Sequence, residues 1–291
     1  MGKTSIEWAD HSVNPIRARL GKAVGHYCEK VSPGCASCYA SRMQSRFGMP
    51  EFQEQRRRGV EPFLDESKLE EVLRRRVPTR YFWEDMSDLF GAWVPDEWID
   101  RCFAVMALAP QHTHLVLTKR AERMRDYMMV LGRSFPRLKA ACPEGWAMEF
   151  QGLPLIPWPL PSVWLGVSVE DQKRADERIP LLLRTPAAVR FLSVEPMLER
   201  IDLHLDRCSY YCDHDSEGGG HRRERTIDWA IFGGESGPGF RPMDPAWLAD
   251  GVRQCREAGI AAFVKQDSGP RPGMQGRIGD DLWAVKEFPN A

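Results

Sequence analysis

Val163-Trp164-Leu165-Gly166-Val167 runs straight into Ser168-Val169-Glu170-Asp171 and then into a helical pattern. A short apolar run that turns polar at one end reads as a strand buried on both faces that hands over to a loop and a helix. The same unit recurs downstream. Val189-Arg190-Phe191-Leu192 meets Ser193-Val194-Glu195-Pro196, Trp229-Ala230-Ile231-Phe232 meets Gly233-Gly234-Glu235-Ser236, and Ala261-Ala262-Phe263-Val264 meets Lys265-Gln266-Asp267. Upstream, His114-Leu115-Val116-Leu117 meets Thr118-Lys119-Arg120 and a helix. Arg80-Tyr81-Phe82-Trp83 ends in Asp85-Met86-Ser87-Asp88, and Pro95 then opens a helix carrying Trp98, Ile99, Phe103, Val105 and Met106. Ile6 to Asn14 reads as a first strand, followed by a Gly- and Arg-containing loop. Leu64 to Arg76 reads as a surface helix with Leu64, Leu69, Val72 and Leu73 on one stripe. This rhythm predicts an α/β fold: a parallel βα barrel, partial or closed, of six to seven strands, as one domain over residues 1–291. A doubly wound open sheet is the alternative. Two inserted loops break the rhythm: 140–162, rich in Pro and Trp and read as a lid or insertion beside the mouth, and 204–226.

The 291 residues, 43% hydrophobic and 28% charged, can bury a large core, which excludes disorder as the main state. Forty basic and 41 acidic residues give a net charge of −1, so nucleic-acid or membrane binding has to come from local patches. No apolar run approaches the roughly 20 residues of a membrane span, and the first residues lack the apolar core of a secretory signal. A cytoplasmic protein with no membrane contact is expected. In such a chain, clustered cysteines point to metal binding or chemistry more than to disulfides.

Three of the eight cysteines, Cys28, Cys35 and Cys38, fall within eleven residues. A structural zinc site would need a fourth donor from His26, His11 or a distant cysteine. A 4Fe-4S cluster held by three cysteines instead leaves one iron open to a substrate or cofactor. The strand ends carry Asp88, Lys119, Glu170, Glu195, Glu235 and Lys265, which a βα barrel gathers at one mouth. Glu195 and Glu235 read equally as partners of Lys119, Arg190 or Lys265 in a charge network. Cys208, Cys212, His214 and His221 match a zinc donor count, or a loop with free thiols, while Cys102 and Cys255 fall on helix faces as core residues. Cys142 has no assigned role.

Several blocks in order carry a resemblance: Thr4-Ser5-Ile6-Glu7-Trp8, Ser32-Pro33-Gly34-Cys35-x-x-Cys38-Tyr39-Ala40, Met86-Ser87-Asp88-Leu89-Phe90, Leu117-Thr118-Lys119-Arg120, Ser193-Val194-Glu195-Pro196 and Gly233-Gly234-Glu235-Ser236-Gly237. Over roughly residues 4–268 the chain resembles the phage-associated three-Cys-motif proteins, which are similar to the spore photoproduct lyase branch of radical S-adenosyl-L-methionine (SAM) enzymes. The resemblance implies a 4Fe-4S cluster on Cys28, Cys35 and Cys38 that binds SAM and cleaves it reductively to a 5′-deoxyadenosyl radical for hydrogen abstraction. It implies Lys119, Glu170 and Glu195 as catalytic mouth residues. Tyr39 would face the adenine, Ser87 and Asp88 the amino group or ribose, and Ser168 and Glu235 would be further cofactor-facing residues. The sequence departs from the common radical SAM pattern in two places. Six residues, not three, separate Cys28 from Cys35, and Gly233-Gly234-Glu235 follows about the sixth strand, so the amino-group role of the usual Gly-Gly-Glu is not carried over.

The resemblance also implies an external electron donor and a companion protein encoded nearby. A nucleic-acid substrate, to be modified or repaired at a base, is suggested by that analogy and by basic clusters. These are Arg56-Arg57-Arg58, Arg74-Arg75-Arg76 with Arg80, Arg120 with Arg123 and Arg125, and Arg222-Arg223 with Arg225, with Trp83, Trp93, Trp146 and Trp158 for stacking. The competing reading is a non-catalytic, metal-stabilised module for nucleic-acid binding or partner docking, its basic runs being solvated helix faces balanced by residues such as Glu70 and Glu71.

Overall fold

A computed structural model describes residues 2–55, 58–132, 135–143, 145–146, 157–205 and 226–289. In chain order the elements begin with β1 (Gly2–Lys3), β2 (His11–Val13), β3 (Ile16–Leu20), β4 (Ala23–Gly25), α1 (Tyr39–Met43), β5 (Glu61–Leu64) and α2 (Glu66–Arg74). Then come β6 (Arg80–Trp83), α3 (Asp96–Leu108), β7 (Thr113–Thr118), α4 (Ala121–Leu131), α5 (Phe135–Ala140), β8 (Val163–Ser168) and α6 (Gln172–Arg184). The last are β9 (Val189–Val194), β10 (Trp229–Gly233), α7 (Pro245–Ala258), β11 (Ala261–Gln266) and α8 (Asp280–Trp283).

The main sheet has the order β1-β2-β6-β7-β8-β9-β10-β11, with β1 antiparallel on its edge and the other seven strands parallel. Each parallel strand lies beside the parallel strand that precedes it in this sheet. A doubly wound sheet reverses its order at a switch point, and this one does not. The result is a curled α/β half-barrel, open between β11 and the β1–β2 edge among the described residues.

Alternation along the strands sorts the side chains onto two faces. Tyr81, Trp83, Val116, Leu165, Val167, Leu192, Val194, Phe232 and Val264 join a large core with helix residues such as Ile99, Phe103 and Leu182. The intervening residues Phe82, Leu115, Trp164, Phe191, Trp229, Ile231 and Phe263 form a second core, closed by Trp8 and Ala9, on the face turned away from the helices. Gly166 makes room there: a Cβ on it would stand 2.6 Å from the Phe191 ring.

Two local readings need correction. The expected strand Ile6–Asn14 is only His11–Val13, because Ala9 N–H turns back to the Ile6 carbonyl and Trp8 enters the inner core. The stretch after it, read as a loop, forms a three-stranded antiparallel sheet, β4-β3-β5, whose hairpin turns at Gly21 with φ +58°. The described flanks of 140–162 enter β8 at its N-terminal end, where Val163 N–H donates to the Leu160 carbonyl. Residues 144 and 147–156, the body of that segment, lie outside the described residues. Residues 206–225, with Cys208, Cys212, His214 and His221, lie outside the described residues. No helix of the described residues is long and apolar enough to cross a membrane.

Candidate functional site

The alternation that builds the inner core continues past the strand ends and sets which polar residues face inward. Lys119 continues the row of Leu115 and Leu117, and its Nζ donates to Ser168 Oγ at 3.1 Å across to β8. Glu195 follows Phe191 and Ser193, and Lys265 follows Phe263; the two form an ion pair at 2.5 Å. Gly233 lies on the strand between them, and a Cβ there would stand 3.3 Å from the Glu195 carboxyl carbon. Lys119, Ser168, Glu195 and Lys265 thus form two polar pairs above an aromatic floor.

The cysteine loop lies across this mouth, and the strand ends hold it. Gly34 N–H donates to Glu170 Oε1 at 3.3 Å. A Cβ at Gly34 would come within 3.1 Å of that carboxylate, so the close approach favours glycine. Glu170 is fully buried and paired at 2.9 Å with Arg178, which also donates to the Ser168 carbonyl. Burial alone would raise the Glu170 pKa, but the charges of Lys119 and Arg178 and hydrogen bonds from Ser32 and Gly34 hold it below the ordinary carboxylate value.

Glu235 is anchored by Arg241 through bonds of 2.5 and 3.0 Å; against the pull of burial, Arg241 and the Ser37 hydroxyl of the loop lower its pKa. Ser87 Oγ donates to the Tyr27 carbonyl at 2.6 Å. Asp88 receives Thr118 Oγ1, Lys119 N–H and Arg120, and Arg120 in turn donates to the Glu29 carbonyl at 3.0 Å. Tyr39 donates to the Asp85 carbonyl at 2.7 Å, and the Asp85 carboxylate accepts from Asn14.

The three thiols share this loop but not one environment. Cys35 is buried, with Ser32 Oγ 3.7 Å from its sulfur. Cys28 and Cys38 both pack on a small apolar cluster of Ala40, Phe52 and Met86. Burial drives the Cys28 thiol far above its ordinary pKa, opposed by the Arg120 charge. Among the described residues no three His, Cys, Asp or Glu side chains are grouped to hold a single metal ion.

The residues read as one set therefore divide in two. Lys119, Ser168 and Glu195 face the inner mouth, whereas Tyr39, Ser87, Asp88, Glu170 and Glu235 hold or buttress the cysteine loop. In the charge-network reading, Glu195 takes Lys265, and Glu235 takes Arg241 in place of the partners named for it. Sequence reasoning missed Asp85, Arg120, Arg178 and Arg241 as supporting residues. Arg178 sits eight positions after Glu170, and only the fold of the intervening turn and helix brings the two together.

The stacking role expected of Trp83 and Trp93 does not fit their burial: Trp83 donates to His114 Nδ1, and Trp93 lies beneath Arg120. Trp146 and Trp158 are partly buried against the main core. Several basic clusters are internally paired, with Arg74 on Glu70, Arg80 on Asp10, Arg123 on Asp96 and Arg125 on Asp126. Arg56, Arg57, Arg222, Arg223 and Arg225 lie outside the described residues. Cys102 and Cys255 are buried, as their helix positions predict, and Cys142 is buried as well.

Glu84 links the barrel to the small sheet. It has φ +59°, is buried, and accepts Ile16 N–H at 2.7 Å through one oxygen while the other has no hydrogen-bond partner. Burial raises its carboxyl pKa well above the ordinary value. A folded-state pKa above the unfolded one gives stability that is complete below the unfolded carboxyl pKa and is lost as pH rises toward the folded value. Thermal melts of wild type and Glu84→Gln from pH 5 to 8 are expected to diverge, with the variant gaining on wild type as pH rises. Parallel curves would show that the Glu84 carboxyl does not weaken the fold as pH rises.

No curated protein and no solved structure matches this chain. A family model described as "Protein of unknown function (DUF5131)" matches residues 3–278, nearly the whole chain, and the protein belongs to that family.

Proposed function

We propose that this protein is a radical SAM iron–sulfur enzyme, with Cys28, Cys35 and Cys38 as ligands of a 4Fe-4S cluster whose open iron takes SAM. The observation that carries the reading is a three-thiol loop clamped across the polar mouth of a βα half-barrel by Glu170, Ser87 and Arg120. The donor set fits this group. Three soft thiolate donors share one loop with an apolar cushion under two of them, and a cluster binds each thiolate to a different iron, unlike the four donors that converge on one zinc. When bound, the cluster and SAM would supply a one-electron reductive cleavage that yields an organic radical.

The chain's own task is positioning. Glu170 fixes the height of the loop above the mouth through the Gly34 N–H. The apolar cluster of Ala40, Phe52 and Met86 packs beneath Cys28 and Cys38. Lys119, Ser168, Glu195 and Lys265 offer donors and acceptors to whatever enters beneath. An external one-electron donor is required. The substrate search begins with nucleic-acid bases, by analogy with the photoproduct-repair branch.

Anaerobic purification followed by iron, sulfide and zinc analysis tests the reading. Bound iron and sulfide are expected, and 5′-deoxyadenosine is expected on adding dithionite and SAM. Both should be lost when Cys28, Cys35 or Cys38 is replaced by Ala. Stoichiometric zinc without iron would overturn the enzyme reading and leave a metal-stabilised binding module.

A further inference from the structure

Cys28 is held differently from the other two cysteines. Arg120, two residues past β7, reaches the residue that follows Cys28, Glu29. Its guanidinium lies 4.6 Å over the Trp93 ring, and Trp93 meets Tyr27 edge-on at 5.0 Å. One arm pairs with Asp88 at 2.8 Å, and the other donates at 3.0 Å to the Glu29 carbonyl, against which the Cys28 sulfur also lies at 3.7 Å. Both members of the pair are well buried, Arg120 at 13% and Asp88 at 6% side-chain exposure. The Cys35 sulfur lies 3.7 Å from the Ser32 hydroxyl, with no arginine bound to its loop neighbours among the described residues.

We propose that Arg120 is the positioning residue of Cys28: it fixes the loop at the Glu29 carbonyl against which the Cys28 sulfur lies, and its permanent charge beside that carbonyl makes a cluster held there easier to reduce. The proposal rests on the reading of the three cysteines as cluster ligands. Reduction adds one electron, supplied by an external donor, with no bond made or broken. A fixed cation in a poorly solvated site stabilises that added negative charge, and hydrogen bonds and charge near the sulfurs set cluster potentials. The planar fork is what allows simultaneous contact with Trp93, Asp88 and Glu29, a geometry that lysine cannot reproduce.

The test compares wild type with Arg120→Met, Arg120→Lys and the double variant Asp88→Asn/Arg120→Met, which leaves no lone buried carboxylate if the single change unfolds the chain. In metal-free protein, amide exchange over residues 28–31 is expected to rise in all three variants. After anaerobic reconstitution, the midpoint potential of the cluster, followed by electron paramagnetic resonance during reductive titration, is expected to move to more negative values in both Met variants. Arg120→Lys should recover part of that shift without recovering the exchange protection. Wild-type exchange in folded variants overturns the proposal. So does faster exchange with a wild-type potential, which is what a merely structural arginine would give. A wild-type chain that takes up no iron overturns the functional reading instead, and the metal-free exchange comparison then still decides whether Arg120 holds the loop.

Discussion

Replacing Glu170 by Ala is expected to cost about 3–5 kcal/mol of stability and to release the cysteine loop from the barrel mouth. The carboxylate has no exposed surface, and its partner Arg178 is 7% exposed. Truncation therefore strands a guanidinium in a site that water reaches poorly, where an unpaired charge is far more costly than the pair was favourable. The Ser168 carbonyl still accepts from Arg178, which moderates the loss without neutralising the charge. A second consequence separates this change from an ordinary core defect. Gly34 loses the acceptor of its backbone N–H, so amide exchange should increase around Gly34 even where the barrel strands stay protected. Urea denaturation gives the stability change, and exchange by mass spectrometry gives the local one. Glu170→Leu combined with Arg178→Met should cost less than Glu170→Ala alone, because no charge is left behind. If the double change costs as much or more, the stranded charge is not the cause.

The division of labour at the mouth explains what could be read from the chain and what could not. Strand ends were legible because an apolar run that turns polar has one sensible reading in a βα unit: Val163–Ser168 followed by Glu170 is such a case. The cysteine loop was legible from spacing alone. What each polar residue grips was not. Glu195 and Glu170 occupy equivalent places after adjacent strands, yet one takes a lysine on β11 and the other takes a backbone N–H of the loop and an arginine on α6. That choice depends on which element the curl of the sheet brings opposite, and no local pattern encodes it. The β4-β3-β5 sheet was missed for a different reason. Ile16-Arg17-Ala18-Arg19-Leu20 does alternate, with Ile16 and Ala18 buried, but the arginines and the following Gly21 weighed toward a loop. Arg19 in fact lies 4.0 Å over the Phe63 ring and covers the sheet with its stem, as long basic side chains do.

Trp229→Ala is the other large expected effect, about 3–5 kcal/mol, and it falls on the opposite end of the barrel from the cysteines. The indole is fully buried at the centre of the inner core. Its ring lies 5.8 to 6.3 Å from those of Trp8, Trp164, Phe191 and Phe263, and 5.2 Å from Phe288. Nε1 donates to the Glu287 carbonyl at 2.9 Å, so the same side chain ties the C-terminal stretch to the barrel. Surrounding aromatics are too rigid to collapse into the space left by an indole, and the resulting cavity adds to the lost transfer energy. Trp229→Phe keeps a ring in the cluster and loses the bond to Glu287; its cost should be smaller, about 1–3 kcal/mol. The two variants thus separate packing from anchoring, read as shifts in the urea midpoint at unchanged slope. An alanine variant within about 1 kcal/mol of wild type would mean that the inner face is not a packed core. The half-barrel would then lack the rigid floor on which the geometry of the mouth, and every role assigned to it, depends.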